Sequence, residues 1–233
     1  MKKVILALFA VSVLVISCKK DDDNKDESLK PRDRGEEAIA AQNQIEEYLT
    51  NYAYNYEDFE SPVEGFDYRV VIDSILPGSD KIPLIEQVEY KMVEDPYEPE
   101  VKYKLYYLKV AQGEGKPVDG AEAAHITYEV WNLETNELLE QTNSSEPKAF
   151  VIDNKSTNAG LKEALKEFNA SDGFIENEDG TISYQDYGIG AVFVPSGLAF
   201  FNNPPLSTPI GYYNQLIYTF HVIGVSEKDE DEG

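Results

Sequence analysis

Positive charge is scarce in this chain. Its 233 residues carry 20 Lys and Arg against 44 Asp and Glu, a formal net charge of −24. Nucleic-acid binding is excluded as a main role, because phosphate contacts need clustered Lys and Arg. Docking on anionic lipid through a basic surface is excluded on the same ground. Tryptophan is nearly absent too, with one residue against 16 tyrosines and 10 phenylalanines. Such an aromatic balance suits half-buried strands and points to a β-rich fold. Hydrophobic residues make up 42% of the chain, which is enough for one or two cores but not for a large multidomain enzyme.

Cysteine is the rarest of the chemically active residues, and the single one, Cys18, has an informative place. Lys2 and Lys3 open the chain, an apolar run covers residues 4–16, and Ser17 precedes the cysteine. A basic start, an apolar run too short to span a bilayer comfortably and a small residue before the cut describe a secretory signal. The stretch "VISC" resembles a bacterial lipobox, in which the cysteine is acylated and becomes the first mature residue; an ordinary signal with an incidental cysteine is the alternative. With Cys18 lipidated, the mature protein has no thiol, so disulfide and thiolate chemistry drop out. The following "KKDDDNKDESLKPRDRG" is too polar to bury surface and reads as a solvated tether over 18–35. Its lysine-aspartate start resembles the export signal of Bacteroidetes surface lipoproteins, against the alternative of a plain periplasmic spacer. The expectation is an outer-membrane lipoprotein, facing the periplasm or the cell surface, that touches membrane only through its lipid.

Beyond the tether, Ala41, Ile45, Tyr48, Leu49 and Tyr52 recur at helical spacing and predict an amphipathic helix over 36–52. Strands are predicted at 68–75, 85–93 and 101–110, parted by the turn-forming "LPGSD" and "EDPYEPE". Alternation then becomes clear: Ile126, Tyr128 and Val130 share one face, with His125, Thr127 and Glu129 on the other. Short strands follow at 138–142 and 149–152, and a helix over 158–168 carries Leu161, Ala164, Leu165 and Phe168 on one side. An acidic insertion over 169–190 separates that helix from a strand at 191–194, and a closing strand covers 215–225 before the acidic tail at 226–233. Strands around one short helix make an α+β fold.

The order of these pieces resembles the FKBP-type peptidyl-prolyl isomerase domain over residues 101–225, with 36–100 as an N-terminal helix-plus-strand extension. "QGEGKPVDGAEAAHITYEV" is similar to the family's G-x-G-x-x-P-x-x-G-x-x-V-x-V-x-Y, with one residue missing before Pro117 and one extra before Tyr128. "LLEQT", "NAGLKEAL", "VPSGLAF" and "PIGYYNQLIYTFHVIGV" stand for its F-D-S-S strand, its helix start, its P-x-x-L-A-Y loop and its closing strand. The resemblance implies an antiparallel half-barrel sheet wrapped on one short helix, no cofactor or metal, and proline-containing polypeptides as substrates. It places Tyr128, Phe150, Phe200 and Tyr218 at the reacting pocket, and Leu139, Glu140, Asn158, Leu161, Ala199 and Ile210 around the bound peptide.

Several positions depart from the family pattern. Phe200 keeps a ring but lacks the loop tyrosine's hydroxyl; Leu161 replaces the tryptophan floor; Leu139 and Glu140 replace phenylalanine and aspartate. Thr157 and Asn158 replace a Val-Ile pair whose second backbone N–H binds substrate, and Gly211-Tyr212 replaces Pro-Pro. Two readings therefore stand: an isomerase, or a module of the same fold that binds a peptide or envelope partner without useful turnover. The opening of the loop, Pro195-Ser196-Gly197, is expected to reverse the chain so that Phe200 faces Tyr128 and Tyr218 while Phe201 packs on Pro204-Pro205. Both histidines fall on the faces opposite the inward alternation and read as surface or half-buried positions. In "IENEDGTISYQD", Asn177, Asp179, Gly180, Ile182 and Asp186 could fill places of a calcium loop, but Ile175 cannot ligate at the first place; a hairpin turning at Asp179-Gly180 explains the same residues.

Overall fold

The computed structural model describes residues 31–142, 146–153 and 158–228. Cys18, Thr157, the signal segment, most of the tether and the end of the tail lie outside the described residues.

The backbone is α+β. Seven strands form one antiparallel sheet: β3 (Glu89–Glu94), β4 (Lys102–Ala111), β5 (Ala123–Asn132), β6 (Leu138–Gln141), β7 (Lys148–Val151), β10 (Gly188–Val194) and β11 (Leu216–Ser226). Their order is β3-β4-β10-β11-β5-β6, and β7 also pairs with β5. One short helix, α3 (Ala159–Leu165), lies against one face, and a longer one, α1 (Arg34–Asn51), against the other. Beside α1 sit a two-stranded sheet of β1 (Tyr52–Tyr54) and β2 (Ile72–Ser74), and the short helix α2 (Tyr56–Glu60).

Covering the sheet on both faces explains the strand sequences. The central strand β10, "GIGAVFV", is buried along its whole length and so reads as a continuous apolar run instead of an alternation. Val192 and Val194 enter the inner core with α3, whereas Ala191 and Phe193 enter the outer core with α1. On β5 the alternation expected from sequence holds, with Ile126, Tyr128 and Val130 buried in the inner core. Residues 36–94 thus share a unit with the strands: β3 is an edge of the main sheet, and Ile45, Tyr48 and Leu49 of α1 pack on its outer face.

Local structure departs from the sequence expectation in a few places. α1 begins at Arg34, inside the expected tether, because Asp33 caps it by accepting from the Glu36 N–H at 2.9 Å. It ends at Asn51, since Tyr52 pairs with Ser74 as the first residue of β1. The strand expected over 68–75 shrinks to Ile72–Ser74, because Tyr68 at φ 57° breaks the extended run. Residues Leu84–Glu86 form a 3-10 turn ahead of β3. α3 stops at Leu165, although Phe168 beyond it is fully buried.

The insertion is narrower than 169–190. Only its middle leaves the body, as the hairpin β8 (Gly173–Glu176) and β9 (Ile182–Gln185), with Phe174, Ile175 and Ile182 exposed. Its start is tied down: the Ala170 N–H donates to Lys116, the Gly115 N–H donates to Ala170, and Ser171 Oγ donates to the Ile223 carbonyl. Its end is already β10. Within the hairpin, Asp179 accepts from the Thr181 N–H and hydroxyl, and Asn177 donates to Thr181 and Ser183. These are the bonds of a turn, as the hairpin reading of "IENEDGTISYQD" expects.

Candidate functional site

Strand register assembles the site. On β5, Tyr128 lies opposite Phe220 of β11, and Val130, two residues on, lies opposite both Tyr218 of β11 and Glu140 of β6. Ile126, two residues back, lies opposite Lys148 of β7. Residues two apart share a face, and diagonal neighbours are within reach of long side chains. Pairing alone therefore brings Tyr218, Glu140 and Lys148 around the Tyr128 ring on one face of the sheet.

The apolar part is a ring cluster on a filled floor. Tyr128 meets Phe150 edge-on, with centroids 5.5 Å apart, and Tyr218 at 5.9 Å with a 46° tilt. Leu161 from α3 and Ile210 from the loop before β11 belong to the same buried cluster. Leu139, Phe150, Ala199 and Phe200 are half-buried and pack against its edge. The structure thus gathers Tyr128, Phe150, Leu139, Leu161, Ala199, Phe200, Ile210 and Tyr218 in one cluster. The two groups differ in what they offer a ligand, since Leu161 is 0% exposed while the edge residues keep part of their surface.

The polar part has two pairs. The Tyr128 hydroxyl donates to Glu140 Oε1, and Lys148 Nζ donates to both, at 3.0 Å to the hydroxyl and 3.1 Å to the carboxylate. Burial alone would raise the Glu140 pKa, but the bonds from Tyr128 and Lys148 outweigh it and hold the carboxyl below the usual glutamate value. Burial, and then the bond to Glu140, push the Tyr128 phenol well above the usual tyrosine value. On the far side, Asn158 Nδ2 donates to the Tyr218 hydroxyl at 2.7 Å. Asn158 takes φ 53°, turning the chain into α3, and its side-chain oxygen is buried without a partner. Its backbone N–H is directed at the Ala199 carbonyl, at a long 3.4 Å. Lys148 escaped the sequence reading, although it sits two residues before Phe150 on one strand and so had to share its face.

The turn carrying Ala199 and Phe200 reverses where expected, through a 3-10 turn at Ser196–Leu198. Phe200 packs against the cluster from this turn, but the close ring pairs of Tyr128 are with Phe150 and Tyr218, and among the described residues Phe200 forms no such pair with either tyrosine. Phe201, at φ 49°, has its ring edge-on to Tyr213 at 5.0 Å and 4.1 Å from the Arg34 guanidinium at the start of α1.

On the opposite face of β5 and β11, two adjoining hollows of about 430 and 450 Å³ share Arg69, Val70, Glu129 and Thr219. His221 lies there half-buried, its Nε2 2.8 Å from the Tyr68 carbonyl and its ring 4.9 Å from Tyr187; burial holds its pKa below the usual histidine value.

No protein-family model matches the chain, and no curated protein does. Among solved structures it is similar to a peptidyl-prolyl cis-trans isomerase from Pseudomonas syringae pv. tomato, with 17% identity over 53% of this chain and 76% of that one and a TM-score of 0.39. It is similar to FkpA from Escherichia coli, at 14% identity over 83% of this chain and 63% of that one, with a TM-score of 0.42. The N-terminal domain of FKBP42 from Arabidopsis thaliana is 18% identical over 66% of this chain and 98% of its own, with a TM-score of 0.43. At these identities and scores, the reading of the site rests on the chain's own residues.

Proposed function

We propose that the chain binds proline-containing polypeptides at the Tyr128 cluster and catalyses cis-trans isomerisation of their prolyl bonds. The observation that carries this reading is the convergence of rings and aliphatic side chains around Tyr128, with half-buried edges at Leu139, Phe150, Ala199 and Phe200. Rotation about a prolyl bond is slow because of C–N double-bond character, with a barrier of ~20 kcal/mol. It needs no nucleophile. Twisting the amide reduces its charge separation, so an apolar wall favours the twisted form over the planar one. Every ~1.4 kcal/mol of such preference speeds rotation tenfold. Phe150, Phe200 and Leu139 supply that wall, and the Tyr128–Glu140–Lys148 group fixes the Tyr128 ring beneath it.

A second reading, peptide binding without turnover, has its own support. The Tyr128 hydroxyl proton is spent on Glu140, and Tyr218, whose hydroxyl accepts from Asn158, is only 2% exposed, which leaves the wall few donors for a substrate carbonyl. A prolyl-peptide isomerisation assay separates the two. Acceleration over the uncatalysed rate supports the enzyme; binding of a proline peptide without acceleration supports the module; neither result removes both.

We also propose that the protein is held at the outer membrane by a lipid on Cys18. No helix among the described residues is long and apolar enough to cross a membrane. Cys18→Ala should leave the exported protein unacylated, and a variant that still fractionates with membranes like the wild type would overturn the anchor.

A further inference from the structure

The 195–201 turn is held from outside the site by the first turn of α1. Glu37, 4% exposed, accepts at Oε1 from Ser196 Oγ at 3.0 Å and from Gln215 Nε2 at 3.2 Å, while Arg32 pairs with its Oε2 at 2.9 Å. Gln215 closes the loop by accepting the Ser196 backbone N–H at 2.5 Å. A buried carboxylate is tolerated only when its oxygens are met by donors, and here those donors sit on the turn and on the residue before β11.

Three residues earlier on α1, Arg34 works on the other end of the turn. Its guanidinium pairs with Asp95, whose side chain is wholly buried, and lies over the rings of Phe201, at 4.1 Å, and Tyr97, at 4.7 Å. Asp95 also accepts from the Tyr103 hydroxyl at 3.1 Å. That hydroxyl occupies the space beside Gly197: a Cβ there would lie 2.0 Å from it, so the turn rests directly on Tyr103 and no larger residue fits. Both ends of the turn are therefore fixed by neighbours, with Ala199 and Phe200 between them.

We propose that Glu37 and Arg34 are positioning residues for the candidate site, holding the turn so that Ala199 and Phe200 sit at the edge of the Tyr128 cluster. The activity arm of the test rests on the proposed function; the structural arm does not. In the full chain, Glu37→Ala should speed hydrogen exchange of the Leu198, Ala199 and Phe201 amides by about ten- to a hundredfold, the scale of a lost charge-assisted bond, with β5 and β11 unchanged. KM for a proline peptide should rise more than kcat falls, because the edge is displaced while the rings stay. Glu37→Gln keeps an acceptor for Ser196 and Gln215 and should restore both readouts. If Glu37→Ala does not fold, Ser196→Ala removes the other side of the same bond and should loosen the same amides. Unchanged turn amides, a rise spread evenly over the sheet, or a Gln variant as damaged as the Ala variant would each overturn the proposal. A wild type without isomerase activity would fail the proposed function, while the exchange pattern still decides the clasp.

Discussion

Leu161 tests whether a residue at a pocket position is a wall or a support. It is 0% exposed and packed in the inner core with Ala164, Leu165, Val194 and Leu198. The helix bearing it lies so close to the sheet that a Cβ on neighbouring Gly160 would come within 2.5 Å of Val194 Cγ1. Such a site has little room to collapse after truncation, so Leu161→Ala should cost about 3–5 kcal/mol, the upper part of the range for buried leucines. At roughly 2–4 °C per kcal/mol for a unit of this size, thermal denaturation should shift down by about 6–20 °C. Affinity for a proline peptide, measured by titration at a temperature where the variant is folded, should change by less than about threefold, since no Leu161 surface is lost to the ligand. Leu161→Trp follows the same logic: the added volume enters a filled core and should destabilise by about 1–3 kcal/mol rather than deepen the pocket. An alanine variant with nearly wild-type melting but tenfold weaker binding would refute this, and Leu161 would then be a true pocket floor.

Phe200→Ala should act the opposite way, weakening a proline peptide by about 1–2 kcal/mol, part of a large side chain's burial, with little change in melting; equal binding in titration calorimetry would exclude Phe200 from the site. Glu140 has a folded pKa below its ordinary 4.5, so its stabilising contribution is complete above that value and is lost as pH falls through the lower folded one. Glu140→Gln should accordingly flatten the loss of stability below pH 4.5 relative to wild type; denaturation curves with the same acid slope would count against the Tyr128–Glu140–Lys148 group. Replacing 173–185 by a short turn should keep the melting temperature, because the hairpin carries no core and loop length costs little; a large drop would show that it packs.

The core strands were legible from alternation and apolar runs, since β5 buries a regular face while β10 is buried throughout and β11 over its first five residues. Tyr128, Phe150 and Tyr218 could be placed together because strand period and pairing leave little freedom. What the sequence hid depends on distant contacts. Glu37 looks like any acidic first-turn residue of a helix, and only the approach of Ser196 and Gln215, 159 and 178 residues away, makes it a buried anchor. The Phe201 partners were hidden for a related reason: its positive φ, which sequence does not announce for a phenylalanine, places the ring beside Arg34. The body of the fold reaches further into the insertion than its polar sequence suggests, because Asn169 and Ala170 bond through their backbone to the 112–116 segment and the Ser171 hydroxyl donates to Ile223 of β11.

The place of β10 between β4 and β11 has a consequence for how the chain must fold. These central strands are the last two in chain order, and β4 waits for a partner that begins at Gly188 while β5 waits for one that begins at Leu216. Long-range closure of this kind is slow, since the entropy of closing large loops is spent before the pairing rewards it. Until then Tyr103, Leu105 and Tyr107 on β4, and Ile126, Tyr128 and Val130 on β5, have no completed core to enter. A chain stopped before residue 188 would therefore leave one edge of β4 and one edge of β5 open and prone to aggregate, whereas one stopped just after Ser226 would retain every strand of the sheet.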